Sequence, residues 1–268
     1  VPPRFLFFTG EPAVTLPLLK PRPAWTPVLS ALSFDATAGR LHRRGSASDD
    51  FRGCVYFADV RDKDIERHNL GVFARAGRPC WPDPAALLGI SDPHAALARC
   101  VAAGLVDHPV VQARWSPEPP LAFPYVLKVG DEHRGEGKFL IKSARDIERW
   151  EGIATMEPFF DGESVRVLLV GDEAFGARIR NENSWIKNTA GASVEPWSPP
   201  PRLVEHARRA MRLFGLQIAG VDYVIDQRGP HLLEVNPFPR LGLSPESAAV
   251  ARDFLARQMD AIEAAAAR

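Results

Sequence analysis

Lysine is scarce in this chain: six stand against 27 arginines, and 33 acidic residues bring the formal net charge to zero. No overall basic field argues for nucleic acid or an anionic membrane, so any cationic site must be local. Four of the six lysines, Lys128, Lys138, Lys142 and Lys187, fall in one 60-residue stretch, which marks a place for such a site. Cysteine is equally sparse. Cys54, Cys80 and Cys100 are odd in number and lack C-x-x-C spacing, so they indicate neither a disulfide framework nor a cysteine zinc site. Buried free thiols in a reducing cytoplasm fit them. Long apolar runs are missing too: the core of VPPRFLFFTGEP is too short for a signal peptide, and nothing approaches a membrane span. A soluble, cytoplasmic protein is expected, with no nucleic-acid or membrane partner.

The remaining composition, 46% hydrophobic and 25% charged over 268 residues, is that of a globular chain of one large domain or a few small lobes. PRFLFF and GCVYFADV are expected strands and IERHNLGVFARAG a helix, giving a small α/β lobe over residues 1–88. SDPHAALARCVAAG carries full helix punctuation, with Ser91 or Asp92 as cap, Pro93 in the first turn and Gly104 as the stop. FPYVLKVG and KFLIKS read as strands around DEHRGEG, followed by a short helix SARDIERW, which completes a lobe over 89–154. In 155–268, ATMEPFF leads into the strands SVRVLLVG and EAFGARIR, the helix PRLVEHARRAMRLFG, the hairpin IAGVDYVID/PHLLEVN and a closing helix from Ser244. This order predicts α+β lobes built on antiparallel sheets.

In the strand HLLEVN, residues two apart point the same way, so Glu234 and Asn236 share a face. A turn centred near Arg228 places Asp222 opposite Glu234. Carboxylates paired across strands, with roots about 5 Å apart, repel unless a cation or proton lies between them. Two carboxylates and an amide oxygen are hard ligands that suit magnesium or manganese, and magnesium commonly completes its shell with phosphate oxygens. The alternative is a solvated strand face with the acid paired to an arginine. Arg134-Gly135-Glu136-Gly137-Lys138 is a glycine loop between strands that could bring backbone N–H groups to phosphate, or simply a hairpin tip.

Taken together, PYVLKVG, GEGKFLIKS, MEPFFDGESVRV, GVDYVID and EVNPFPRLG resemble the ATP-grasp superfamily over residues 77–245. Within it the chain is most similar to the branch of ribosomal-protein glutamate ligases and other carboxylate–amine ligases, through RIRNENSWIKNTAGAS. The resemblance implies an ATP-grasp fold: a small N-terminal α/β lobe and two α+β lobes that sandwich the nucleotide. It implies that Lys128 holds phosphate oxygens and that Gly135, Gly137 and Lys138 belong to a loop closing over the triphosphate. Glu157, Pro158, Phe159 and Phe160 would form the hinge, with Glu157 or nearby backbone accepting from the adenine amino group. Asp222, Glu234 and Asn236 would bind one or two magnesium ions. Arg178, Arg180, Lys187 and Asn188 would neutralise the transferred phosphoryl group, with Arg166 and Arg240 as further candidates.

Two positions depart from the family pattern. Pro93-His94 follows Asp92 where a lysine is common, and Ser164 stands where a ribose-binding acid is expected, leaving Glu163 as its substitute. The expected activity is Mg-ATP-dependent joining of a small-molecule or peptide carboxylate to an amine through an acylphosphate. Alternatives are a kinase on the same fold and a degenerate nucleotide-binding scaffold. Dimers are common among such relatives, which makes a homodimer compatible with the reading.

Overall fold

The computed structural model describes residues 4–28, 33–35, 40–42, 51–58, 63–116, 118, 120–130, 137–187 and 191–267. Its first part contains β1 (Phe5–Thr9), α1 (Pro12–Leu19), β2 (Trp25–Val28), β3 (Ser33–Asp35), β4 (Arg40–His42), β5 (Gly53–Phe57), α2 (Lys63–Ala76) and β6 (Cys80–Trp81). A parallel sheet runs β2-β1-β5-β6, and β3 pairs with β4. Strands of a parallel sheet are covered on both faces and read as unbroken apolar runs, which explains FLFFT. Leu6 and Phe8 enter one core with Leu70 and Phe73 of α2; Phe5 and Phe7 enter the other with the closing helix.

The middle part comprises α3 (Pro84–Leu88), α4 (Pro93–Ala102), β7 (Val111–Ala113), β8 (Tyr125–Val129), β9 (Lys138–Ile141) and β10 (Ala154–Pro158). Its antiparallel sheet runs β7-β10-β8-β9. The Asp92 carboxylate accepts from the N–H groups of His94 and Ala95, which selects Asp92 rather than Ser91 as the cap of α4. The expected helix over SARDIERW is a single 3₁₀ turn, Ala144–Asp146. Asp146 accepts from the N–H groups of Lys142 and Ser143, and Ile147 is already extended, so the chain leaves the helix while Ile147 and Trp150 pack on the sheet.

The last part contains β11 (Glu163–Val170), β12 (Glu173–Arg180), β13 (Ser193–Trp197), α5 (Pro201–Leu213), β14 (Ile218–Asp226), β15 (Gly229–Asn236) and α6 (Pro245–Ala266). The antiparallel sheet runs β13-β12-β11-β14-β15. Its inner strands alternate between two cores: Val165, Val167 and Leu169 meet α5, whereas Leu168 and Val170 meet α6. Helix α6 also covers the parallel sheet. There a Cβ on Gly53 would lie 2.5 Å from Ile262 Cγ2, so only glycine permits the approach. The fold is α+β, and among the described residues no helix is long and apolar enough to cross a membrane.

Candidate active site

The five-stranded and middle sheets face one another across an open cleft of about 210 Å³. One wall carries Val126 and Lys128 from β8, Lys138 from β9 and Glu157 from β10; the other carries Ser164, Ile179, Asp222, Val224, Leu233 and Glu234. Phe159, Phe160 and the loop residues Trp185 and Lys187 close one end. Strand register explains the grouping. Lys128 pairs directly with Lys138 on one side and Thr155 on the other, and residues opposite one another share a face.

On the other wall Asp222 lies directly opposite Glu234, as expected, through a one-residue register shift between Asp222 and Tyr223, and Gly220 lies opposite Asn236. The cation that the carboxylate pair demands is present in the chain. Arg166, the register partner of Asp222 on β11, donates from Nε to Oδ1 at 2.6 Å and from Nη2 to Oδ2 at 2.7 Å. Burial works against the Arg166 charge, but Asp222 and, more weakly, Glu234 overcome it and raise the guanidinium pKa. Gly220 gives this pair its space: a Cβ there would lie 2.7 Å from Pro239 Cβ and 3.4 Å from Arg166 Cδ.

Glu234 is half-buried and meets Lys138 across the cleft at 4.0 Å. Asn236 Oδ1 accepts from the Phe238 N–H at 2.8 Å and keeps a second lone pair. Each Asp222 oxygen likewise takes one Arg166 hydrogen and retains further acceptor capacity. The set fits a hard divalent cation, with Glu234 and Asn236 the less encumbered donors.

The Glu157 carboxylate, 1% exposed, is held by Lys128 and by His108 Nε2 at 3.1 Å. Burial pushes its pKa up; Lys128 and then His108 outweigh that and bring it below the ordinary value. It is therefore already engaged by two basic side chains. Pro158, Phe159 and Phe160 all line the cleft, with Phe159 edge-on to Trp185 at 6.1 Å.

Lys187 reaches the cleft with its Nζ donating to the carbonyls of Asn181 and Ser184, both at 3.0 Å. Gly137, at φ +69°, directly precedes β9, which Lys138 begins. Gly135 and Asn188 lie outside the described residues.

Arg178, Arg180 and Glu163 do not join this group. Side chains alternate along a strand, and Ser164 and Ile179 line the cleft, so their neighbours project from the opposite face. There Arg178 Nε stands 3.0 Å from Glu163 Oε1 and its guanidinium lies over Trp197, while Arg180 stands 3.8 Å from Glu163 and 3.6 Å from Glu195. That parity sets the arginines expected at phosphate and the Glu163 expected at ribose apart from the residues lining the cleft.

Three contributors went unrecognised in the sequence. Trp185 could have been noticed as an aromatic two residues before Lys187. His94 stands 2.6 Å from Thr155 Oγ1 and 2.8 Å from the Gly130 carbonyl, pinning α4 to the strand that enters the glycine loop. His108 secures Glu157 from outside the cleft, and no motif announced it.

Comparison with known proteins agrees with this geometry. A "Probable alpha-L-glutamate ligase" of Xanthomonas campestris pv. campestris is 30% identical over 131 residues, 44% of this chain and 45% of that protein. The chain thus matches about half the length of such curated relatives. An ATP-grasp RimK domain protein from Sphaerobacter thermophilus has the same fold, with TM-score 0.67, 18% identity and coverage of 94% of this chain and 98% of that one. So does a Bacillus anthracis D-alanine–D-alanine ligase solved with ATP, with TM-score 0.65, 13% identity and coverage of 100% and 98%. The RimK-like ATP-grasp domain family matches residues 104–255, a stretch that contains both facing walls of the cleft, and the chain belongs to that family.

Proposed function

We propose that the protein is an ATP-dependent carboxylate–amine ligase, and the observation that carries this reading is the meeting of Lys128 and Lys138 with Asp222 and Glu234 across one cleft. Cations on one wall and hard-oxygen donors on the other suit a triphosphate with its divalent ion. Residues 1–88, 89–154 and 155–268 then act as substrate lobe and two nucleotide lobes, with β10 at the seam of the latter two.

Magnesium, held by Glu234 and Asn236 with Asp222 beside them, would supply charge neutralisation of the phosphate oxygens. The chain's own groups do the rest. Lys128 and Lys138 hold phosphate, Phe159, Phe160 and Trp185 enclose the base, and Lys187 adds a further fixed positive charge to the cleft. A substrate carboxylate oxygen attacks the γ-phosphorus and ADP leaves. The amine then attacks the acyl carbon and phosphate leaves, giving an amide. No side-chain nucleophile is needed, so positioning and exclusion of water carry the rate.

The relative's name supports glutamate as one substrate. Cytoplasmic residence suits three free thiols. The test is ADP release with Mg-ATP and amino acids or short peptides, added as carboxylate alone and as carboxylate with amine. Full turnover is expected only with both. Sustained release with a single hydroxyl-bearing substrate would mark a kinase, and none with any pool a binding protein without turnover.

A further inference from the structure

Behind the aromatic end of the cleft, two histidines converge on one carboxylate. Asp107 and His108 lie between α4 and β7, and His231 lies on β15. The Nδ1 atoms of His108 and His231 stand 3.2 and 3.1 Å from Asp107 Oδ1, and all three candidate ligand atoms lie within 4.8 Å of one another. The outer nitrogens face carboxylates as well: His108 Nε2 is 3.1 Å from Glu157 Oε1, and His231 Nε2 is 2.9 Å from Asp226 Oδ1. Both imidazoles are 4% exposed, and Phe160 stacks on His231 at 4.0 Å and meets His108 edge-on at 4.8 Å.

A neutral imidazole has one N–H and one lone pair. Facing acids on both nitrogens, each ring satisfies one carboxylate and turns its lone pair on the other. A second proton on each ring removes that conflict one ring at a time, whereas one divalent cation among the inner atoms removes it for both rings at once. Each Nε2–H then donates outward to Glu157 or Asp226, and each Nδ1 lone pair points to the metal. Ligands about 2.0–2.1 Å from a tetrahedral ion stand roughly 3.3 Å from each other, close to the two distances seen. The outer carboxylates are the partners that metal-bound histidines commonly have, and Arg228 anchors one of them, Asp226, at 2.8 Å.

We propose that Asp107, His108 and His231 form a zinc-type transition-metal site, separate from the hard-oxygen magnesium residues. Two imidazoles and one carboxylate favour such an ion over magnesium, and the 59% exposure of the Asp107 side chain leaves the fourth position to water. The ion clasps the loop before β7 to strand β15, tying the middle part of the chain to the last one. It also holds His108 against Glu157, and through it the lysine that faces the nucleotide cleft. The clasp does not depend on which reaction the cleft performs.

The test is zinc and cobalt(II) uptake by chelator-treated protein carrying Glu234→Gln, which removes a donor from the cleft. One zinc per chain is expected, and cobalt should give the visible bands of a tetrahedral nitrogen–oxygen site without a thiolate charge-transfer band. Asp107→Ala, a change at an exposed side chain, should abolish this stoichiometric uptake in a folded protein. Asp226→Asn should weaken it by about 10- to 100-fold. Absence of saturable uptake, uptake unchanged by Asp107→Ala, or a thiolate band would each overturn the site.

Discussion

Arg166 and Asp222 are joined by two parallel hydrogen bonds of 2.6 and 2.7 Å at the floor of the cleft, directly beside Glu234. Such bidentate charged pairs are strong and geometrically specific. Arg166 is 7% exposed, so its partner cannot be replaced by water without rearrangement. Removing one member of a buried pair costs about 3–5 kcal/mol, because the other charge is stranded. Arg166→Met should lower stability by that order in urea unfolding and splay Asp222 from Glu234. Unchanged stability would mean that the pair is already solvated.

Glu157 makes acid stability measurable. Its folded pKa lies below the ordinary 4.5 because Lys128 and His108 together outweigh burial. A carboxyl depressed on folding contributes stability above its unfolded pKa and loses it as pH falls toward the folded value. Wild-type urea midpoints should therefore fall more steeply below about pH 4.5 than those of Glu157→Gln. Parallel curves for the two proteins would show that the Lys128 and His108 contacts contribute nothing.

Arg178 and Arg180 provide the opposite kind of test. Their exposed ion pairs with Glu163 and Glu195 belong to the class worth about 0–1 kcal/mol. Arg178→Gln and Arg180→Gln should leave Mg-ATP affinity within about twofold of wild type and stability within about 1 kcal/mol. A large loss of nucleotide affinity in calorimetric titration would return these arginines to the phosphate site.

Asp222 does face Glu234, but a turn with Asp226 opposite Gly229 would by itself bring Leu233 to Asp222, and an irregularity between Asp222 and Tyr223 supplies the one-residue shift that makes the pair. The pairing of β12 was open to the same reading, since the Gly171-Asp172 turn sets Val170 against Glu173 and carries Ile179 opposite Ser164. What RIR does not tell is which face of that hairpin meets the cleft, because that depends on how the sheet packs. Strands β2, β6, β7 and β13 have two to five residues and two contain proline, Pro27 and Pro196, so no alternation reveals them. The Arg166 partnership is likewise a property of neighbouring strands 56 positions apart. The helix expected from SARDIERW failed for a local reason, the grip of Asp146 on the backbone before it.

The most direct measurement is thermal unfolding with and without Mg-ATP on the wild type and on Glu234→Gln. At about 100 times the dissociation constant, a ligand adds roughly 2.7 kcal/mol, which corresponds to a rise of roughly 5–10 °C for a chain of this size. The account predicts a magnesium-dependent rise in the wild type that is lost in Glu234→Gln, with the ligand-free variant unfolding near the wild-type temperature. No rise with any nucleotide, or an equal rise in the variant, would contradict the assignment of the cleft.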